Sequence, residues 1–270
     1  MSLAKKIYRK GYLAYGDLVL RRSYCVLPGD MVNRKNLFIY FDYEREFGGH
    51  DTAITDHDVK EILTFLNGAG LKTTWFTVGR IFETYPGSIQ RILKEGHEIG
   101  SHTYRHIAPY RTQPKALTED FSLFERASKQ FANVNGFHSP NGLWSFAMFK
   151  GMKKYDYAYD VIRNPGGVLE KPYRVSYGGL KNAIRLQTLG DDWQLYLQKP
   201  GVDKVYSYLM AMLEKMKTGD LAGIGFHPWI LYADPNLLEG FKKFVEELST
   251  QKEYNIQTAG QFVERIKKIN

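Results

Sequence analysis

From residue 37 onward the chain alternates short apolar runs with stretches of helical apolar spacing, and this rhythm restricts the fold more than any other feature of the sequence. Strands that alternate with helix-length segments argue for βα units around a largely parallel sheet. The runs Leu37–Phe41, Lys72–Thr77, Glu98–Ser101, Gly136–His138, Tyr157–Asp160, Ala183–Leu186, Leu221–Phe226 and Asn255–Gln257 read as strands. Between them the spacing predicts an amphipathic helix over Asp58–Leu66, stopped by Asn67-Gly68 with Gly70, and further helices over Leu117–Phe131, Val205–Met216, Leu238–Leu248 and Ala259–Ile269. Seven or eight such units suggest an α/β barrel. With 270 residues, 43% of them hydrophobic, the chain is long enough to bury one large core, and no repeat or low-complexity tract divides it. The expectation is a single barrel domain over residues 37–270, preceded by a basic arm or cap over residues 1–36.

That arm carries most of the chain's formal charge of +8: Lys5, Lys6, Arg9, Lys10, Arg21, Arg22, Arg34 and Lys35 stand against Asp17 and Asp30. Such a segment suits phosphate on an anionic membrane or a lipid diphosphate carrier, and equally a solvated cap on the domain. Nucleic acid is not expected, because no recognised binding motif accompanies the charge. A single cysteine, Cys25, excludes an intrachain disulfide and a cysteine-built metal site. The N-terminus reads poorly as a signal peptide and no segment has the apolar length of a membrane helix, so the expectation is a cytoplasmic protein, peripheral to the membrane at most.

In parallel barrels reactive groups project from the carboxyl ends of the strands. The first strand ends in Asp42-Tyr43-Glu44. If the segment stays extended, both carboxylates face one side and repel unless a cation or a shared proton relieves them, although Asp-x-Glu alone is equally at home in a polar loop. The third strand is followed by His102-Thr-Tyr-Arg-His106. Histidines four residues apart on one helical turn can offer two imidazoles to one ion, and a pair of surface histidines has the same spacing. Gly223-Ile-Gly-Phe-His227-Pro-Trp229 delivers a histidine into a rigid turn beside a tryptophan. A histidine there suits proton donation, and Trp229 suits the wall of an apolar pocket. Gly136-Phe-His138-Ser-Pro140-Asn141-Gly142 and Leu189-Gly-Asp191-Asp192-Trp193 are two more turns after apolar residues.

Taken in order, these elements resemble the polysaccharide deacetylase family, the NodB-homology carbohydrate esterases, over roughly residues 37–260. The family's Thr-Phe-Asp-Asp-Gly looks like Tyr40-Phe41-Asp42-Tyr43-Glu44, with the second acid displaced by one position. Its His-Ser/Thr-x-x-His is matched in full by residues 102–106, and its Arg-x-Pro-Tyr-Gly looks like His138-Ser139-Pro140-Asn141-Gly142, with histidine in place of arginine. The Asp-Trp element and the final strand-borne histidine are similar to Asp192-Trp193 and His227.

The resemblance implies a distorted (β/α) barrel that removes the N-acetyl group from an amino sugar of a cell-envelope polysaccharide or its precursor. It implies a divalent metal, zinc with cobalt, nickel or ferrous iron as alternatives, on Glu44, His102 and His106. Asp42 would be the base and His227 the acid; His138, Pro140, Asn141, Asp192, Trp193 and Trp229 would line the substrate site. Two other readings stay open: a deformylase or other amidohydrolase acting on a lipid-linked sugar, and a catalytically impaired relative that only binds carbohydrate.

Overall fold

A computed structural model describes Gly11 and residues 19–50, 54–163 and 169–269. Its strands are β1 (Arg21–Tyr24), β2 (Lys35–Tyr43), β3 (Thr74–Thr77), β4 (Glu98–Ser101), β5 (Gly136–His138), β6 (Tyr159–Arg163), β7 (Tyr173–Tyr177), β8 (Leu180–Asp191), β9 (Leu221–Phe226) and β10 (Tyr254–Ile256). Seven of them, in the order β2, β3, β4, β5, β6, β8, β9 and back to β2, pair in parallel and close a barrel. All eight expected strands are present, and the eighth corrects the picture of a uniform ring. β10 pairs with the amino-terminal half of β2, at Lys35 to Leu37, while β3 takes over farther along, at Tyr40 to Tyr43. Two strands are additional: β7 returns antiparallel along β8, and β1 adds antiparallel to β7.

Alternation along β2 divides the core. Phe38 and Tyr40 meet Phe76, Tyr159, Val161, Ile184, Leu186 and Leu221 inside the barrel, whereas Leu37, Ile39, Phe41 and Tyr43 pack outward on the helices Asp56–Gly68, Pro86–Lys94, Val202–Leu213 and Pro235–Thr250. The helix Ala259–Lys267, started by a capping box at Thr258, closes the amino end of the barrel. There the half-buried Glu98 carboxylate accepts from Tyr159 Oη at 2.6 Å, Thr74 Oγ1 at 2.8 Å and Gly260 N–H at 2.8 Å. On the far outer face Asp160 of β6 and its register partner Arg185 of β8 form a fully buried ion pair, 2.6 Å at its closest, beneath the rings of Trp144 and Phe149.

Each of the five expected helices forms. The short helices Arg80–Thr84, Pro86–Lys94, Met148–Lys154, Trp193–Gln198 and Pro228–Ala233 were not anticipated, because one or two turns offer too few apolar positions for a period to register. Of the basic N-terminal residues, Lys5, Lys6, Arg9 and Lys10 lie outside the described residues. Arg34 donates to the carbonyls of Lys252 and Tyr254, and Lys35 pairs with Glu253 at 3.0 Å. Leu20, Cys25 and Met31 are buried. Among the described residues no helix is long and apolar enough to cross a membrane.

Candidate active site

Inside the barrel, rows of alternating residues run up each strand, and glycines make room for rings from the neighbouring strands. A Cβ at Gly100 would overlap Phe76, at Gly136 Tyr159, at Gly223 Phe38 and at Gly225 Tyr40. Two residues further along those same rows, at the carboxyl ends, stand His102, His138 and His227, and Asp42 follows Tyr40 in the same way. Four strands thus bring four titratable side chains to one mouth, where His138 packs against Tyr40 and Phe76 at ring-centroid distances of 5.1 and 5.3 Å.

Glu44 follows β2 with helical backbone angles, yet its side chain joins Asp42 inside while the intervening Tyr43 faces outward, donating to Ser88 Oγ at 2.9 Å. This accounts for the displaced acid: position 43 belongs to the helix layer and position 44 to the mouth. Glu44 Oε1 lies 2.9 Å from His106 Nε2 and 3.5 Å from His102 Nε2, and one ligand atom from each of the three residues falls within 4.8 Å of the others. His102 Nδ1–H donates to the His138 carbonyl at 2.8 Å, which turns the Nε2 lone pair toward Glu44. Burial holds His102 below the usual imidazole range. Two imidazole nitrogens from the loop after β4 and a carboxylate from the end of β2, facing one another, suit a divalent cation and match the two-histidine, one-acid donor set of zinc sites with open positions.

The His102–His106 segment is not the helical turn expected from the spacing. It is a loop in which Thr103 and His106 take left-handed φ of 64° and 55°, and its Tyr104 and Arg105 amides bond to Asp120 instead of to helix carbonyls. Likewise Pro228 does not make a mere turn. It opens the helix Pro228–Ala233, with His227 as its N-cap residue.

Asp42 is buried, with His138 Nε2 at 3.5 Å and His227 Nε2 at 3.6 Å from its Oδ2. Burial opposes its charge, but the surrounding imidazoles, His138 foremost, hold the carboxyl below the usual carboxylate range. Burial equally opposes protonation of His138, and the Asp42 carboxylate overrides it and lifts the imidazole above its ordinary value. His138 Nδ1–H is spent on the Val161 carbonyl at 2.8 Å, which turns its Nε2 side toward Asp42. The histidine that stands in place of the family's arginine thus sits against the Asp42 carboxylate. Asp42 Oδ1 has no hydrogen-bond partner among the described residues.

A bulge in β8 at Thr188 and Gly190 carries the strand end toward β9 and places Asp192 beneath His227. Asp192 accepts from His227 Nδ1–H at 2.6 Å and from its backbone N–H at 2.8 Å. Burial works against charge on His227, yet Asp192, with Glu44 and Asp42 behind it, holds the imidazole well above its usual range.

One side of the mouth is aromatic. Trp229 donates to Glu44 Oε2 at 3.3 Å and meets Trp193 at 6.2 Å and Tyr196 at 5.0 Å, while His50 stacks on it at 4.5 Å. Pro140 and Asn141 form a tight turn after β5, Asn141 at a φ of 64°. Among the described residues neither hydrogen-bonds to the acids and imidazoles of the cluster. Sequence reasoning missed His50 and Tyr196, which carry no motif signal, and Asp120. That aspartate had a signal: it is a charge within the apolar stripe of Leu117, Phe121 and Phe124.

The comparisons with known proteins agree with this geometry. Residues 31–160 match the family model for Polysaccharide deacetylase. A peptidoglycan-N-acetylglucosamine deacetylase of Bacillus cereus is 30% identical over 129 residues, 46% of this chain and 55% of that protein. The chain thus spans about half the length of the curated relatives it matches. Among solved structures, a Mycobacterium smegmatis protein described as a polysaccharide deacetylase superposes with a TM-score of 0.72 at 17% identity, covering 93% of this chain and 96% of that one. A CE4-family pseudoenzyme from Bacillus anthracis superposes at 0.60 with 17% identity, over 86% of this chain and 66% of that one. At such identities the likeness speaks to the fold. Over residues 31–160 the chain thus matches the polysaccharide deacetylase family model, and its closed seven-stranded barrel has the fold of the solved structures it superposes on.

Proposed function

We propose that the chain is a divalent-metal-dependent hydrolase that removes the N-acetyl group from an amino sugar of a cell-envelope polysaccharide or its precursor. The observation that supports this most is the convergence of Glu44, His102 and His106 beside Asp42 and the His227–Asp192 pair at one barrel mouth. Glu44, His102 and His106 would hold the ion, zinc by donor type, and the ion would supply Lewis acidity to the amide carbonyl and to water.

The remaining steps fall to the protein's own groups. Asp42 stays ionised below neutrality, and its unpartnered Oδ1 is free to accept the proton of an attacking water, while His138 fixes the other oxygen. A backbone N–H of the turn at Asn141 would be the protein's donor to the developing oxyanion. His227, kept protonated by Asp192, gives its Nε2 proton to the departing amine. Trp193 and Trp229, edge to face at the mouth, would form the apolar wall against which the acyl group rests. A catalytically impaired reading draws on the pseudoenzyme among the structural neighbours, but the outward Tyr43 and the seating of His138 against Asp42 answer the two departures that would motivate it.

The test is a screen for acetate and formate released from N-acetylglucosamine oligomers and related N-acylated sugars by the zinc-loaded protein. Acetate is expected; release of neither product across the panel contradicts the proposal. The pH profile checks the acid. Since Asp192 raises the His227 pKa and the acid works only while protonated, Asp192→Asn should move the alkaline limb of kcat/KM to lower pH by about 1–3 units. An unmoved limb removes His227 from that role.

A further inference from the structure

The loop that carries both motif histidines is held in place from two sides. At its start His102 N–H donates to the Thr77 carbonyl at 3.0 Å; the carbonyls of Thr103 and Tyr104 accept from Gly79 and Arg80 N–H at 2.9 and 3.2 Å; and Ile107 N–H donates to Thr103 Oγ1 at 3.0 Å. The two amides in the middle, those of Tyr104 and Arg105, go to a single side chain. Asp120 accepts from Tyr104 N–H through Oδ1 at 2.6 Å and from Arg105 N–H through Oδ2 at 3.1 Å.

Asp120 is fully buried on the helix Pro114–Ser128, between Leu117, Phe121 and Phe124. A carboxylate in that stripe is an expensive residue for a helix that only needs to pack, and the stripe would be served by an apolar side chain. What an apolar residue cannot do is accept two adjacent N–H groups at once. Those groups lie between two non-glycine residues in left-handed backbone, Thr103 and His106, a conformation that persists only where its surroundings over-determine it. The curvature they impose is what lets imidazoles four residues apart in a loop meet on one Glu44 oxygen.

We propose that Asp120 is the positioning residue of the metal centre: its carboxylate, by chelating the Tyr104 and Arg105 amides, sets the loop shape that brings His102 and His106 together, and so determines metal affinity from outside the ligand set. The proposal rests on the metal-centre reading above. It places one further residue, from a helix on the outer layer of the barrel, in the chain of groups that make the site.

The experiment measures the zinc dissociation constant by competition with a chromophoric chelator. Three proteins are compared: the native chain, Asp120→Asn and Glu125→Gln. Asparagine keeps the shape but turns an N–H donor against one of the two amides. Glu125, on the same helix, accepts from Tyr157 Oη at 2.6 Å and does not touch the loop, so its variant reports the general effect of neutralising a half-buried carboxylate on that helix. Asp120→Asn should weaken zinc about 10–100-fold, as outer-shell losses do, with Glu125→Gln at the native value. Asp120→Ser, which retains one oxygen acceptor, gives the same comparison should the amide variant fail to fold, and the visible bands of the cobalt-loaded protein should change in the Asp120 variants alone. Native zinc affinity in the Asp120 variants, or equal weakening in Glu125→Gln, overturns the positioning role while leaving the metal centre standing. A native chain that takes up no zinc overturns both.

Discussion

Asp42→Asn should lower acetate release about 10²–10⁴-fold, the range for loss of a general base, while zinc affinity stays within a few-fold of native. The second half of that result is the informative one, because two overlapping donor sets are present. Glu44, His102 and His106 form one; Asp42, Glu44 and His227 form the other. The first set is favoured by protonation chemistry. His102 has its Nδ1–H fixed on a carbonyl and burial keeps it neutral, so Nε2 offers a lone pair. Asp192 at 2.6 Å raises the His227 pKa, and the proton it favours competes with a metal ion for the imidazole. An ion in the first set leaves Asp42 free to work as the base. If Asp42→Asn abolished zinc binding along with activity, Asp42 would be a ligand and the base would have to be found elsewhere.

The largest stability effect should come from a site far from the chemistry. Asp160→Ala is expected to cost about 3–5 kcal/mol in denaturant unfolding, because it leaves the Arg185 guanidinium inside the fold without its carboxylate. Asp160 accepts from both Arg185 Nε and Nη2, so the pair is bidentate, and the rings of Trp144 and Phe149 cover the cation. Replacing both partners by apolar residues of similar volume, Asp160→Leu with Arg185→Met, should recover most of the loss, since the penalty lies in the orphaned charge and not in the missing attraction. A single variant that unfolds within about 1 kcal/mol of native would mean that solvent reaches Arg185 despite its burial.

The sequence was most legible where period and position coincide. Strands such as Leu37–Phe41 and Leu221–Phe226 are apolar throughout because they face the interior on one side and helices on the other, and a buried parallel strand leaves that mark. The site residues were legible because they sit at the ends of those strands: Asp42, His102, His138 and His227 each follow an apolar run, and the structure brings all four together. What stayed hidden depends on tertiary contacts. β1 and β7 form an antiparallel edge whose pairing no local pattern records. The shape of the 102–106 loop is set by Asp120, a residue fourteen positions beyond His106, so the local spacing suggested a helical turn. The partner of Asp42 could not be told from the motif, because an imidazole is drawn toward its charged form only where a carboxylate lies beside it. The aromatic wall likewise includes His50, brought to Trp229 by a loop, and Tyr196, on the helix Trp193–Gln198, which is too short to show a period.

The central claim is that Glu44, His102 and His106 share one divalent ion next to Asp42. It is tested most directly by stripping the protein with a chelator, dialysing it against zinc and counting metal by atomic absorption in the native chain, Glu44→Gln and His102→Ala. The account predicts about one zinc per native chain and almost none in either variant. A native chain that retains no zinc, or variants that retain as much as the native chain, would contradict it.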